Sequence, residues 1–155
     1  MVTAAAALSA AGRYSMLWMA SAALGFALHS DRRGFLVFAA VITLEWVFTN
    51  GPIKLLFRRD RPDNTDVADM LPSWLHPPRS SSFPSGHSSA AAFATVIWWS
   101  VSPITGILCG VFALLMAGSR VLIRAHHKSD VAAGLIWGAV LALLALAILG
   151  DRLPG

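Results

Sequence analysis

The sequence predicts an all-α membrane protein, a polytopic helical bundle of about five transmembrane helices forming one domain over residues 1–155. Hydrophobic residues make up 56% of the chain and charged residues only 13%, whereas about a quarter of the residues in a soluble domain are charged. The apolar residues gather into stretches at residues 14–28, 35–57, 90–101, 104–123 and 131–149. This composition and segmentation exclude an ordinary soluble domain.

Each stretch is a candidate for one membrane-spanning helix, which takes about 20 residues. The second, fourth and fifth reach that length. The first does so if it includes the alanines from Ala4, and the third if it begins at Gly86. The short connection at residues 29–34 predicts a helical hairpin between the first two. No basic segment precedes the first apolar stretch, so a secretory signal peptide is not expected.

Acidic side chains occur in two places where a special role has to be considered. Glu45 lies within the second apolar stretch, where an ionisable group is costly and is by default a candidate for function. We favour the alternative, a hydrogen bond to a neighbouring helix, because Glu45 belongs to no motif.

The long loop at residues 58–84 holds four aspartates spaced three apart, namely Asp60, Asp63, Asp66 and Asp69. The prolines of this loop favour a solvated segment over a metal site, and no metal is expected.

A polar turn, Pro84-Ser85-Gly86-His87, directly precedes the third apolar stretch. Ser85 is a suitable N-cap for a helix, and the N–H groups of a first helical turn favour a bound anion such as phosphate. His87 would lie on that same turn, where its imidazole could exchange a proton with the anion. A structural cap followed by a surface histidine would explain the turn alone equally well.

Counting passages through the membrane places three polar clusters on one side of the bilayer, so that residues 54–62, 84–87 and 119–130 can converge. The clusters carry complementary groups, which are Lys54 and Arg61, then Ser85, Gly86 and His87, then Arg120, His126 and Asp130. The sequence therefore predicts a site at one membrane face.

The third cluster has the spacing of an oriented histidine. His126 and Asp130 are four residues apart and share one face of a helix, so the carboxylate can hold Nδ1–H and present Nε2 as a base or nucleophile. His127 lies three residues from Asp130, and periodicity alone leaves both histidines open. The three cations of the clusters, opposite two imidazoles, favour a phosphate oxyanion. Snorkelling of Lys and Arg at helix ends is the alternative.

The motifs resemble the three-part signature of the type 2 phosphatidic acid phosphatases, a superfamily that also includes bacterial acid phosphatases and vanadium haloperoxidases. The matching residues stand in the family's order over about the central half of the chain, as Lys54-x6-Arg61-Pro62, Pro84-Ser85-Gly86-His87 and Ser119-Arg120-x5-His126-x3-Asp130. The resemblance favours His126 over His127.

The resemblance also implies a role for each matched residue. His126 would attack phosphorus and form a phosphohistidine, Asp130 would orient it, and His87 would protonate the leaving alkoxide and then activate water. The phosphate oxygens would be held by Lys54, Arg61, Ser85, Gly86 and Arg120. No metal or other cofactor is implied.

The function that the resemblance implies is hydrolysis of a lipid phosphate within the membrane. The candidate substrates are a polyprenyl phosphate or diphosphate, phosphatidic acid, phosphatidylglycerol phosphate and a prenyl-phosphosugar phosphate. A vanadate-dependent haloperoxidase would use the same phosphate-binding residues. Such enzymes are soluble, so the five apolar stretches argue against this alternative. A non-catalytic lipid-phosphate binding or transport protein would need no nucleophile with an orienting carboxylate. The net charge of +4 is modest and concentrated in the motif loops, so no nucleic-acid partner is expected.

The sequence gives opposing indications about the side of the membrane that carries the site. We expect a multi-pass protein of the plasma membrane. Basic residues are more numerous on the motif side, which by the positive-inside tendency points to the cytoplasm, whereas the resemblance implies the extracytoplasmic face. Members of the family in membranes usually have six helices, and the helix missing here would precede the first motif. Side and oligomeric state stay open.

Overall fold

The computed structural model describes residues 2–12, 15–28, 30–65, 71 and 80–154. In this part of the chain every regular element is helical, which confirms the all-α prediction. The elements are α1 (Val2–Ala11), α2 (Met16–Leu28), α3 (Arg32–Phe48), a π-helical turn (Thr49–Ile53), α4 (Lys54–Leu56), α5 (Gly86–Val101), α6 (Pro103–Leu122), α7 (Lys128–Leu149) and a 3-10 turn (Gly150–Arg152). Asp66 and Asp69 of the predicted aspartate series lie outside the described residues.

Three helical runs within the described residues are long and apolar enough to cross a membrane, namely Arg32–Leu56, Pro103–Leu122 and Lys128–Arg152. Large apolar side chains such as Leu44, Ile104 and Ile148 point outward from these runs and are exposed. Outward apolar side chains are what a lipid environment requires. The protein is therefore an integral membrane protein, as predicted.

The first predicted span differs from the structure, because it is not one continuous helix from Ala4. Helix α1 ends at Ala11 and α2 begins at Met16, and Ser15 between them has a positive φ of 58°. The two helices also pack on different partners, because α1 packs on α6 whereas α2 packs on α3. Apolar residues flank Gly12-Arg13-Tyr14-Ser15 on both sides, and extending the span back to Ala4 merged the two helices into one stretch.

Helix α5 lies at the centre of the bundle and packs most extensively on α6 and α7. Small side chains on both sides permit the close approach of α5 and α7. A Cβ added to Gly138 of α7 would overlap the backbone carbonyl of Ser89, and one added to Gly134 would lie 2.5 Å from the carbonyl oxygen of Ser85. This contact fixes the beginning of α5 against the beginning of α7, which is the end of the bundle where the motif residues lie.

Replacing Gly138 with alanine is expected to lower the melting temperature of the purified protein, because the added methyl group would force α7 away from α5. Overpacking of this kind costs about 1–3 kcal/mol. Gly118→Ala on α6 is the matched control, since a Cβ there meets nothing within 4 Å, and alanine favours the helix by about 1 kcal/mol. Thermal unfolding in detergent measures both variants, and a Gly138→Ala protein as stable as the control would contradict this packing.

Candidate active site

The three polar clusters meet at one end of the bundle. The backbone N–H of Ser85 donates to the carbonyl oxygen of Asp130 at 3.0 Å, which joins the start of α5 to the start of α7. The Arg61 guanidinium reaches across to the carbonyl oxygen of Ala125 at 2.7 Å. The first contact joins the cluster around Ser85 to the cluster around Asp130. The second adds Arg61 from the remaining cluster.

The His126 side chain is only 3% exposed and has a defined orientation. Its Nδ1 lies 2.7 Å from the carbonyl oxygen of Ser82. Because a carbonyl oxygen can only accept, Nδ1 must carry the proton, and Nε2 then carries the ring's lone pair. Nε2 lies 3.4 Å from Nη1 of Arg61. The nitrogen that can act as a nucleophile therefore faces a cation that could hold a phosphate oxygen.

Asp130 is close to His126 but contacts it differently from the sequence expectation. Its Oδ2 lies 3.8 Å from Nδ1 of His126, which is too long for a hydrogen bond. Oδ2 instead accepts the backbone N–H of His127 at 2.9 Å, and Oδ1 pairs with Nη1 of Arg59 at 2.7 Å. The carboxylate thus caps α7 and binds Arg59, while the carbonyl of Ser82 holds the imidazole.

Arg59 and Ser82 are site residues that reasoning from the sequence missed. Every residue has a backbone carbonyl, so the residue type of Ser82 does not indicate that its carbonyl oxygen contacts His126. Arg59 stands among several basic residues beside the first motif, and its pairing with Asp130 depends on how the loop folds. The loop is held by a hydrogen bond from the Ser82 N–H to the Arg59 carbonyl oxygen at 2.9 Å.

Arg61 ties together two loops of the site. In addition to its bond to Ala125, its Nε donates to the carbonyl oxygen of Ser80 at 3.2 Å, and its Nη2 donates to that of Ser81 at 3.4 Å. Burial lowers the pKa of Arg61, and the nearby Asp130 carboxylate opposes this effect. A guanidinium remains protonated in proteins, so this cation is fixed in charge and in position.

Two more cations of the predicted set, Lys54 and Arg120, are buried in the same region. Both lie near enough to His126 to lower the pKa of its imidazole, as Arg61 does. Burying positive charge is costly unless an anion compensates it. Three cations around one imidazole are therefore suited to a multiply charged anion such as phosphate.

The turn before α5 has the predicted cap. Ser85 is fully buried and is the N-cap of α5, with its Oγ accepting the N–H of Ser88 at 3.4 Å. Gly86 is the first helical residue, and a Cβ at that position would overlap the side chain of Asn50. His87 follows on the same turn, half-buried and beside Gly12 at the end of α1. The turn thus places the Ser85 hydroxyl, Gly86 and the His87 imidazole next to one another at the start of α5.

The aspartates of the loop make local contacts where the structure describes them. Asp60 accepts the Ser82 hydroxyl through its carbonyl oxygen at 2.9 Å. Asp63 accepts the backbone N–H of Thr65 at 3.0 Å, which lowers the pKa of its carboxyl group. Among the described residues no three His, Cys, Asp or Glu side chains come together as a metal site.

The pH dependence of stability should reveal the buried imidazole. Burial, and then the charges of Arg120, Arg61 and Lys54, lower the pKa of His126 from 6.5 to about 4, against the opposing effect of Asp130. The unfolded chain therefore binds this proton first, and stability is lost as the pH falls from about 6.5 towards 4. The melting temperature of the wild type should fall more steeply over this range than that of His126→Gln. Equal slopes in phosphate-free buffer would contradict the assignment.

The family model described as the PAP2 superfamily matches residues 33–154. That range contains all three motif clusters.

Among the chain's relatives, the decaprenylphosphoryl-5-phosphoribose phosphatase of Mycobacterium tuberculosis (strain H37Rv) is 33% identical over 154 residues, covering 98% of this chain and 82% of the relative. The protein of that name from Mycolicibacterium smegmatis is 33% identical over 135 residues, with 86% and 71% covered. A probable lipid phosphate phosphatase beta of Arabidopsis thaliana is 32% identical over 162 residues, with 81% and 71% covered.

A similar architecture occurs in a solved structure, the transmembrane PAP2-type phosphatidylglycerolphosphate phosphatase of Bacillus subtilis. The TM-score is 0.74, and the match covers 97% of this chain and 77% of the other at 24% identity. At this identity the likeness shows a shared fold.

Proposed function

The chain belongs to the PAP2 superfamily, and we propose that it hydrolyses its substrate through a phosphohistidine formed on His126, within a single domain. The membership confirms the resemblance seen in the motifs, and lipid phosphate phosphatase activity is common to the relatives by name. The observation that carries the proposal is the state of His126. Its Nδ1 proton is held by the Ser82 carbonyl, so the lone pair of Nε2 is directed to Arg61 and the anion site.

In the first step, Nε2 of His126 attacks phosphorus while the bond from phosphorus to the lipid oxygen breaks. His87 donates a proton to the leaving alkoxide. In the second step, His87 takes a proton from water, the water oxygen attacks phosphorus and the P–N bond breaks. Inorganic phosphate leaves, and both imidazoles return to their starting state.

The phosphate oxygens would be held by the predicted ligands, which are Lys54, Arg61, Ser85, Gly86 and Arg120. Fixed cations and backbone N–H groups stabilise the charge that develops on these oxygens. The burial of Lys54 and Arg120 next to His126 supports this assignment. The chemistry needs no metal because these side chains supply the positive charge.

In this proposal Asp130 acts indirectly, through the residues that it holds in place. It fixes the start of α7 through the N–H of His127 and binds Arg59, and its carbonyl oxygen holds the N–H of Ser85. At 3.8 Å it also stabilises the charge on His126 when the imidazole becomes phosphorylated. The carboxylate therefore orients the site as a whole.

We propose a prenyl-phosphosugar phosphate as the preferred substrate. The mycobacterial relatives are named for a substrate of this class, which joins a prenyl chain through a phosphodiester to a phosphorylated sugar. A groove beside the site combines apolar walls with two cations, and its lining is Leu56, Phe57, Arg58, Arg59 and Phe83. Arg59 links the groove to Asp130. The groove thus suits the first prenyl units and the phosphodiester, while the terminal phosphate is held by the proposed phosphate ligands. The enzyme would act at the plasma membrane.

A substrate panel tests this proposal. Protein purified in detergent is assayed for release of inorganic phosphate from a prenyl-phosphoryl-5-phosphoribose, phosphatidic acid, phosphatidylglycerol phosphate and a polyprenyl diphosphate, all with EDTA present. We expect turnover in EDTA, inhibition by vanadate and the highest kcat/KM for the phosphosugar lipid. Binding of every lipid without release of phosphate would favour a non-catalytic binding protein. A preference for phosphatidic acid would contradict the proposed substrate alone.

A further inference from the structure

The buried face of α3 follows a regular spacing and then changes. Five residues at intervals of three or four are almost fully buried, namely Phe35, Phe38, Ile42, Glu45 and Thr49, which is the spacing of one face of an α-helix. The next buried residue, Lys54, is 8% exposed and lies five positions beyond Thr49. A continuing α-helix would place Pro52 or Ile53 on that face.

The π-helical turn at Thr49–Ile53 accounts for the change. In a π-turn the backbone hydrogen bonds span five residues instead of four, so that one extra residue is accommodated. Pro52 lies within the turn, where a regular α-helix would be disturbed by its ring and its missing N–H. The extra residue rotates α4 relative to α3, and Lys54 takes the place on the buried face that leads into the site.

A buried hydrogen-bond network holds the start of this turn. Thr49 Oγ1 donates to Oε1 of Glu45 at 2.9 Å, and Trp137 of α7 donates its indole N–H to Thr49 Oγ1 at 3.0 Å. Ser89 of α5 donates its hydroxyl to the same Oε1. This confirms the interpretation of Glu45 as a hydrogen-bonding partner of a neighbouring helix.

The network joins the turn to both helices that carry the site. Ser89 lies one turn after Ser85, the cap of α5, and its N–H donates to the Ser85 carbonyl oxygen at 3.0 Å. Glu45 is 4% exposed, and its Oε2 has no hydrogen-bond partner among the described groups. A carboxyl group placed so deeply is costly, and packing alone would be served by an apolar residue.

We propose that Glu45 is a positioning residue for phosphate hydrolysis. Through Thr49, Ser89 and Trp137 it fixes the π-helical turn, and the turn brings Lys54 to the phosphate. The inference rests on the role of Lys54 as a phosphate ligand in the proposed function. The required feature of Glu45 is its oxygen acceptor, Oε1.

Deleting Gly51 tests the turn. The deletion removes the extra residue and rotates Lys54 by about 100° relative to α3, away from the site. We expect kcat/KM to fall about a hundredfold, as it should for Lys54→Met. Gly51→Ala is the matched control, since a Cβ there meets nothing within 4 Å, and it should stay within about twofold of wild type. Full activity of the deletion variant would overturn the proposal.

Substitutions of Glu45 test the network. Glu45→Gln retains an oxygen acceptor for Ser89 and Thr49 and should keep most of the activity, whereas Glu45→Leu should lower kcat/KM at least about tenfold. An equal loss in both variants would show that the acceptor is not what matters, and would overturn the proposal.

A double-mutant cycle separates positioning from a purely structural role. If Glu45 acts through Lys54, Glu45→Leu causes no further loss of kcat/KM in a Lys54→Met background. Losses that multiply, together with a lowered melting temperature, would show a structural role only. If Lys54→Met alone keeps full activity, the phosphate-ligand role of Lys54 fails, and the positioning role fails with it. An inactive Lys54→Met with active Glu45→Leu and deletion variants overturns the positioning role alone.

Discussion

Replacing His126 with alanine is expected to lower kcat by at least about a thousandfold. The substitution removes the nitrogen that would bond to phosphorus in the proposed mechanism. His127→Ala is the matched control, because this neighbouring imidazole is half-exposed and contacts the carbonyl oxygen of Asp60 at 3.3 Å. The control should retain activity within a few-fold. Steady-state release of phosphate from a lipid substrate measures both variants, and substantial turnover by His126→Ala would exclude this nucleophile.

Replacing Arg61 with lysine is expected to lower kcat/KM about a hundredfold despite the conserved charge. A lysine cannot at once donate to the carbonyl oxygens of Ala125, Ser80 and Ser81, so the loops around His126 would lose their common anchor. The ammonium group would also present a single point of charge where the guanidinium presents a fork.

Arg58→Lys is the control for this substitution, since Arg58 is exposed on the same loop. It should change kcat/KM by no more than a few-fold for phosphatidic acid. Both variants are assayed on the same substrate, and equal losses would show that the guanidinium of Arg61 matters no more than that of an exposed arginine on the same loop.

The sequence predicts that three clusters of polar side chains converge at one end of the bundle. Their residue types stand at fixed spacings, and the number of membrane passages places the clusters on one side. The structure brings His126, Asp130, Arg61 and Ser85 into contact through hydrogen bonds and shared loops. Ser85 also caps α5 as its position before the apolar stretch predicted.

The remaining features depend on geometry that residue types do not encode. The partner of His126 is a backbone carbonyl, that of Ser82, which any residue could supply. Gly12 and Arg13 stand at the break between α1 and α2, but an arginine that snorkels at a helix end fits one span as well as two. Pro52 indicates a disturbance of the helix at the π-helical turn, but a proline equally fits a kink or a helix end. Only the five-residue step from Thr49 to Lys54 in the buried face reveals it.

Trapping the phosphorylated enzyme tests the central claim most directly. Wild type, His126→Ala and His127→Ala are mixed with a lipid substrate that carries a radiolabelled terminal phosphate and are quenched within the first turnover. The mechanism predicts label on the wild type and on His127→Ala that is stable in alkali and lost in acid, as a P–N bond is. It predicts no label on His126→Ala. Turnover by the wild type without any labelled protein, or label that persists on His126→Ala, would contradict a phosphohistidine at this residue.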